Sequence, residues 1–513
     1  MKAVVAVVMA MTLGGIHSAK VALIAPPATS HMQQLIVIGD ELVKRYGHDV
    51  SFIAPTTVRD SPILAGTSVD VIWYEAPDDM YLYETDGQKQ RDFLTLSLEA
   101  TNPLSEIRFA VDVFRPVCET LLGDRVLFET LLSRRFDFGL ADGIFFMQCS
   151  YILFDKLKIP YGTVTTLVMP DQIVPTLAVP SIKIHADVEA LDFRGRVINT
   201  LFATLGYGLV SWVTDPSSRY EKYCRQTPCP SYQRLQGDSK LWLIDVDELL
   251  DVPVPSMPHV FHVGGLSVRP TQPLTGEFKT IADSANQSLV LVSFGGTVSF
   301  LAEEYVNKVV EAMRALPRYT FVFKFKQKMK NVPKNVHIVN WLPQRDILAH
   351  RNTRLFITHC GNAGLHETLY GGVPVLGIPF YGDQPANAQK IERRGYGLGV
   401  KITSVTTEEL IAAIEEVITN PTYRKNIHKS SLIYRSKEFA SVRAGKILDG
   451  VLKHGFKHIQ PPSKDLYLFQ LLLIDVILLF ALITIVSIIL LYVCLRSVYR
   501  KCCSPPRNKE KTA

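Results

Sequence analysis

The chain has 513 residues, 47% of them apolar and 20% charged, with 31 Gly and 30 Pro. That composition excludes a disulfide miniprotein, a disordered chain and a collagen-like one, and it predicts two or three domains with their own cores. A net charge of +6 from 55 basic and 49 acidic residues is spread thinly, and the one basic cluster lies in the last eighteen residues, which speaks against nucleic acid as a partner.

At the start, Met1-Lys2 and an apolar run to Leu13 are followed by small residues around Ser18 and Ala19, which predicts a signal peptide over 1–19, although Ile16 or His17 stands where the third residue before cleavage is usually Ala. Lys20–Ala25 then reads as a strand, Met32–Arg45 as a helix with Leu35, Ile36, Ile38, Leu42 and Val43 facing inward, and Asp49–Ile53 as the next strand, a βαβ opening. Phe138–Ala141 is a further apolar strand. The segments 80–109 and 170–207 are rich in aromatic and apolar residues, suited to a lipophilic ligand or to ordinary core packing. Periodicity breaks over Val252–Pro273, which marks a domain boundary.

Beyond it, Leu289–Phe294 reads as a buried strand, Gly295-Gly296 as a turn, Glu304–Ala315 as a helix and Tyr319–Phe325 as a strand; Val336–Val339, Leu355–Thr358 and Val375–Ile378 continue the series. Thr406 and Glu409 form a capping-box pattern before a helix with Leu410, Ile411, Ile414, Val417 and Ile418 on one face. Strands alternating with helices predict an α/β fold of two Rossmann-like parallel-sheet domains, 20–262 and 263–455, facing a cleft, with ligands beyond the carboxyl ends of the strands. A juxtamembrane segment, 456–475, leads to Val476–Leu495, twenty residues without a charge and about 30 Å long as a helix, which predicts a transmembrane anchor. The tail 496–513 carries six Lys or Arg against one Glu and is therefore expected in the cytosol, and Lys509 and Lys511 have the spacing of an endoplasmic-reticulum retrieval signal. Of eight cysteines, Cys494 lies in the span and Cys502 and Cys503 follow it, free or palmitoylated. Five remain in the lumen and cannot all pair; Cys224 and Cys229, close together in a Pro-rich loop, are the expected disulfide. Asn286-Gln287-Ser288 is a single glycosylation tripeptide.

The richest segment is 340–399. A strand ending at Thr358 runs into His359-Cys360-Gly361-Asn362-Ala363-Gly364, followed by a helix that begins near Leu365. Glycines at such a turn let backbone N–H groups and the helix dipole meet an anion, and His359 adds a hydrogen bond to a phosphate. Trp341 offers a surface for a flat base, Gln344 and Glu367 offer partners to a base or ribose, and Asp383-Gln384 suit sugar hydroxyls. Together they provide for a base, a ribose, a diphosphate and a sugar.

These residues closely resemble the signature of the animal UDP-glucuronosyltransferases, UDP-sugar glycosyltransferases of the GT-B fold. The resemblance also runs through Ser30-His31, Leu140-Ala141-Asp142, His262-Val263-Gly264-Gly265-Leu266, Gly371, Val373, Pro374, Pro385 and the C-terminal span. It implies that Trp341 stacks on uracil, that Gln344 and Glu367 hold the ribose, that His359, Gly361, Asn362 and Gly364 hold the diphosphate, and that Asp383 and Gln384 bind the sugar. Thr297, closing the turn Ser293-Phe294-Gly295-Gly296, joins the donor-binding set. It further implies that His31 is the general base and Asp142 its orienting carboxylate. Ala363 stands where the family commonly has Asn, with Asn362 one place early, and Gly296 stands where Ser is frequent.

An inverting displacement is therefore expected: a hydroxyl of a small lipophilic acceptor attacks the anomeric carbon of a UDP-sugar, His31 takes the proton and UDP departs. No cofactor and no metal is expected. Asp245-Val246-Asp247 fits an Asp-x-Asp metal pair, but it lies in the Pro-rich approach to the boundary. The donor is a hexose or hexuronic acid conjugate, UDP-glucose or UDP-glucuronic acid, and the reading leaves room for a homo-oligomer. The alternative is a catalytically silent protein of the same fold that binds lipophiles or modulates a partner.

Overall fold

The computed structural model describes residues 18–75, 98, 103–144, 147–166, 192–195, 197–198, 201, 217–251, 256–285, 288–296, 301–327, 329 and 331–503. The predicted signal segment up to residue 17, Asn286, Thr297, the retrieval lysines and most of 80–109 and 170–207 lie outside them.

Two parallel sheets form the frame. The first contains β1 (Lys20–Ile24), β2 (Asp49–Pro55), β3 (Asp70–Tyr74), β4 (Phe138–Asp142), β5 (Tyr161–Thr165), β6 (Trp242–Ile244) and β7 (Val260–His262), ordered β3-β2-β1-β4-β5-β6-β7. The second contains β8 (Leu289–Ser293), β9 (Thr320–Lys324), β10 (Val336–Val339), β11 (Thr353–Thr358), β12 (Val375–Gly377) and β13 (Gly397–Gly399), ordered β10-β9-β8-β11-β12-β13. Strands buried on both faces need apolar side chains throughout, and β8 and β11 supply them: Leu289 to Val292, Leu355 and Ile357 are at most 1% exposed. Each such side chain withdrawn from water contributes about 1.5–3 kcal/mol.

The first helix, α1 (Thr29–Tyr46), buries Met32, Leu35, Ile36, Ile38 and Leu42 against the first sheet. It stops at Gly47, whose φ of 70° lets its N–H return to Leu42 and Val43, with Lys44 and Arg45 in the last turn facing the helix dipole. It begins three residues before the apolar periodicity does. Its first turn, Thr29 to His31, is polar, and Ser30 is exposed. Helices α2 (Pro103–Gly123) and α3 (Cys149–Leu157) cover the other face and are joined by a Cys118–Cys149 disulfide beyond the expected Cys224–Cys229 pair.

In the second half, α4 (Glu303–Arg314), α5 (Gln344–Leu348), α6 (Asn362–Gly371), α7 (Gln384–Arg393) and α8 (Thr407–Thr419) follow their strands. The capping box of α8 forms in both directions: Glu409 N–H donates to Thr406 Oγ1 and Thr406 N–H to Glu409 Oε2. After α9 (Pro421–Arg435), helix α10 (Ala440–His454) crosses back to lie on α1 of the first half. Ala444, Leu448 and Val451 join the first-half core, and Asp449 Oδ1 lies 3.1 Å from His48 Nε2. The next segment stays there too: Gln460 Nε2 donates to the Lys240 carbonyl and Lys464 Nζ to that of Ser239. Last comes α11 (Ile474–Cys503), which has a mean hydropathy of 3.1 over its apolar part, buries none of it, and is long enough to cross a membrane.

Candidate active site

Each sheet reverses its strand order once, between β1 and β4 in the first and between β8 and β11 in the second. A crevice opens at such a point because the two flanking connections leave in opposite directions. Every pairing that matters follows from this. In the first sheet, Ile24 pairs with Ala141, so the polar first turn of α1 comes beside Asp142, 111 residues away.

His31 sits in that helical turn, not in the loop before it. Its Nδ1 lies 2.7 Å from Asp142 Oδ2, while Asp142 Oδ1 accepts the Ile144 N–H at 2.9 Å. A carboxylate can only accept, so the imidazole carries its hydrogen on Nδ1 and keeps the Nε2 lone pair for another partner. Asp142 is buried and the His31 side chain is 18% exposed, enough to meet a ligand. Burial opposes the imidazolium, but the charge and hydrogen bond of Asp142, with Asp383 on the facing domain, outweigh it and raise His31 above its ordinary 6.5.

Across the cleft, β8 and β11 pair Ser293 with Thr358 and deliver two turns to one place. The His359 ring is wedged between them: a Cβ on Gly361 would stand 2.5 Å from its Nε2, and one on Gly295 2.8 Å from Nε2 and Cε1. Only glycine fits there, and Gly295 also has a φ of 80°. Burial and Lys324 hold His359 down at about 4, with a backbone hydrogen bond at Ser293 pulling the other way, so the ring is neutral; its Nδ1 lies 3.4 Å from Thr358 Oγ1. The backbone offers further donors at the same turn. Cys360 has a φ of 62°, Gly361 caps α6 without a side-chain hydrogen bond, and the first-turn N–H groups of Asn362, Ala363 and Gly364 have no capping side chain. The helix starts at Asn362, three residues earlier than the apolar pattern indicates.

Beside this turn, Gln344 Nε2 donates to Glu367 Oε2 at 2.7 Å, joining the two residues expected at a ribose. Burial pushes the Glu367 carboxyl up to about 7, with Gln344, Arg345 and Lys324 pulling it back. Trp341 is 62% exposed, an indole left in solvent that a planar ring would cover. Asp383 stands just before α7 without a side-chain capping bond, accepts from Asn387 Nδ2 at 2.6 Å, and is raised by burial. Gln384 is 4% exposed and its Oε1 accepts the N–H groups of Phe380 and Tyr381, so it shapes the loop after β12.

The side chain of Asn362 points elsewhere than to an anion. Its Nδ2 donates to the carbonyl and the Oδ2 of Asp245, at 3.0 and 3.3 Å. Asp245 is wholly buried between the two halves, accepting from main-chain amides of the connecting segment, so the Asp-x-Asp pattern here belongs to the domain junction. Gln34 reaches the same carboxylate. Neither Gln34 nor Asp245 carries a sequence signal for this contact.

Residues 19–509 match the family model described as UDP-glucoronosyl and UDP-glucosyl transferase. The mouse 2-hydroxyacylsphingosine 1-beta-galactosyltransferase is 31% identical over 76% of this chain and 73% of its own. UDP-glucuronosyltransferase 2C1 of Oryctolagus cuniculus is 28% identical over 94% and 99%. Among solved structures, a UDP-glucose: anthocyanidin 3-O-glucosyltransferase in complex with UDP superposes with a TM-score of 0.56 at 18% identity, covering 85% of this chain and 99% of that one. The glycotransferase of kitacinnamycin gives 0.60 at 20%, covering 85% and 100%.

Proposed function

Since the chain belongs to the UDP-glucuronosyl and UDP-glucosyl transferase family, we propose that it transfers a hexose or hexuronic acid from its UDP conjugate to a hydroxyl of a small lipophilic acceptor, with inversion and with His31 as the base. The observation that carries this is the 2.7 Å contact between His31 Nδ1 and Asp142 Oδ2, which leaves Nε2 as the acceptor of a proton at the switch point of the first sheet.

The acceptor oxygen gives its proton to His31 Nε2 as it bonds to the anomeric carbon, and the bond from that carbon to the diphosphate oxygen breaks on the opposite face. Asp142 supports the imidazolium that forms. The uncapped N–H groups of Asn362, Ala363 and Gly364 face the charge that develops on UDP. Trp341 stacks on the uracil, Gln344 and Glu367 hold the ribose, and Asp383 and Gln384 bind the sugar. With α11 as a single anchor, the two domains lie in the endoplasmic-reticulum lumen and the basic tail in the cytosol.

The test is UDP release by detergent-solubilised full-length protein with a panel of small phenols and sterols, comparing UDP-glucuronic acid with UDP-glucose in EDTA, for wild type and His31→Ala. Acceptor-dependent release that survives EDTA and falls about 10²–10⁴-fold in the variant, or about 3–5 kcal/mol of barrier, is expected. No release with either donor and no UDP binding would favour the silent lipophile-binding alternative, for which Ala363 in place of the family's Asn and Gly364 in place of its frequent Ser are the support.

A further inference from the structure

Asp245 follows β6 at the cleft end of the first sheet, its N–H fixed on the Thr165 carbonyl. Its carboxylate is wholly buried and is met by donors from three directions. Oδ1 accepts the Gly265 and Leu266 N–H groups of the segment joining the halves, at 2.5 and 3.1 Å. Oδ2 accepts Gln34 Nε2 at 3.1 Å and Asn362 Nδ2 at 3.3 Å. His366, one turn into α6, has Nε2 3.8 Å from Oδ1.

The three directions are the three bodies whose relation decides the chemistry. Gln34 lies one turn after His31 on α1. Asn362 opens the helix whose first amides face the donor diphosphate. Gly265 and Leu266 belong to the connection that joins the two halves. Ser267 Oγ adds a contact from that connection to the Ala363 carbonyl at 3.3 Å. A buried carboxylate is costly unless its lone pairs are filled, and here the filling spans both domains.

We propose that Asp245 is a positioning residue: by holding Gln34 and Asn362 on one carboxylate it fixes the distance between the base on α1 and the donor turn at the start of α6. This rests on the proposed transfer reaction but assigns Asp245 and Gln34 a part in it that neither motif nor catalytic pair contains. It also gives the Asn362 side chain, as distinct from its N–H, a task other than binding phosphate. Misplacement of a reacting group by about 1 Å costs about a hundredfold in rate, so loosening this junction is felt in the chemical step and not in donor binding.

Asp245→Ala strands three buried donors, the Gly265 and Leu266 N–H groups and Gln34 Nε2, while Asn362 Nδ2 keeps the main-chain carbonyl at 3.0 Å, and it is expected to misfold, so the informative variants are Gln34→Met, Asn362→Ala and the pair together, in full-length protein. Each single change is expected to lower kcat by about ten- to a hundredfold with the Kd for UDP, read by calorimetry, within about threefold of wild type. The double variant should be no slower than the worse single one, because both changes break one coupling. Hydrogen exchange supplies a readout without turnover: UDP should protect the amides of residues 28–38 in wild type and fail to do so in Gln34→Met, while protection of 360–366 persists in both. Unchanged kcat in the single variants, multiplicative effects in the double, retained protection of 28–38 in Gln34→Met, or a loss in Asn362→Ala confined to the UDP Kd would each overturn the proposal. Wild type that binds no UDP would instead remove the transfer reading on which it rests.

Discussion

Replacing Asp142 by Asn probes the base at the point where the structure leaves it no good alternative. The two carboxylate oxygens serve two donors, Ile144 N–H at 2.9 Å and His31 Nδ1 at 2.7 Å. An amide has one oxygen. If that oxygen keeps the Ile144 N–H, the new NH2 faces Nδ1, the ring hydrogen moves to Nε2, and the lone pair that takes the acceptor proton is gone. Such an inversion costs about 10⁴-fold in the serine-protease triad, and about 10²–10⁴-fold is expected here, the range for loss of a general base. If the amide turns the other way, its NH2 meets the Ile144 N–H, and a buried donor without a partner costs about 1–3 kcal/mol of stability. Either way the variant also removes the negative charge that raises His31, so any residual activity should have its acid limb at lower pH. Wild type needs neutral His31, and its raised pKa places the acid limb of kcat/KM above about pH 6.5. The assay is kcat/KM against pH for both proteins, with thermal melts to separate the two amide orientations. Activity within about threefold of wild type and an unmoved acid limb would refute the assignment.

Trp341→Ala should leave the fold intact, since the side chain is 62% exposed, and raise the KM for the UDP-sugar by the roughly 1–3 kcal/mol of a lost stacking contact; an unchanged KM would remove the indole from the site. Glu367, with its folded pKa pushed up to about 7, keeps a proton that the unfolded chain releases at about 4.5. Its contribution to stability is therefore full below about pH 4.5 and lost as pH rises through about 7, and Glu367→Gln should flatten that part of the melting-temperature profile of the unliganded protein; an identical slope in both proteins would contradict this. Gly361→Ala puts a methyl 2.5 Å from His359 Nε2 and should destabilise the protein by about 1–3 kcal/mol and weaken UDP binding, whereas a neutral outcome would show that the ring moves freely.

What could be read from the residues alone follows how local the determining physics is. The strands β1, β2, β4 and β8 to β12 and the Thr406–Glu409 cap depend on near neighbours, and they were legible to within a residue or two, whereas β3, β5, β6, β7 and β13, several of them only three residues long, were not read from the sequence. The first turns of α1 and α6 were not: Thr29 to His31 and Asn362 to Gly364 lack apolar periodicity because they face the cleft, not a core. The partnership of His31 with Asp142 is set by the adjacency of β1 and β4, which no spacing reveals, so it came from resemblance. The Cys118–Cys149 disulfide likewise depends on two helices meeting across 31 residues of chain. Asp245 was hidden for the opposite reason. Its tripeptide pattern is local, but its partners come from α1, the connection and α6.

The return of α10 to the first half gives the molecule a mooring. Because Gln460 and Lys464 are fastened to the segment that leads into β6, the apolar helix α11 is tethered through the first half, although it follows the second half in sequence. In a bilayer the first half would then be the stationary jaw, held against the membrane, and the second half the one left free to shift.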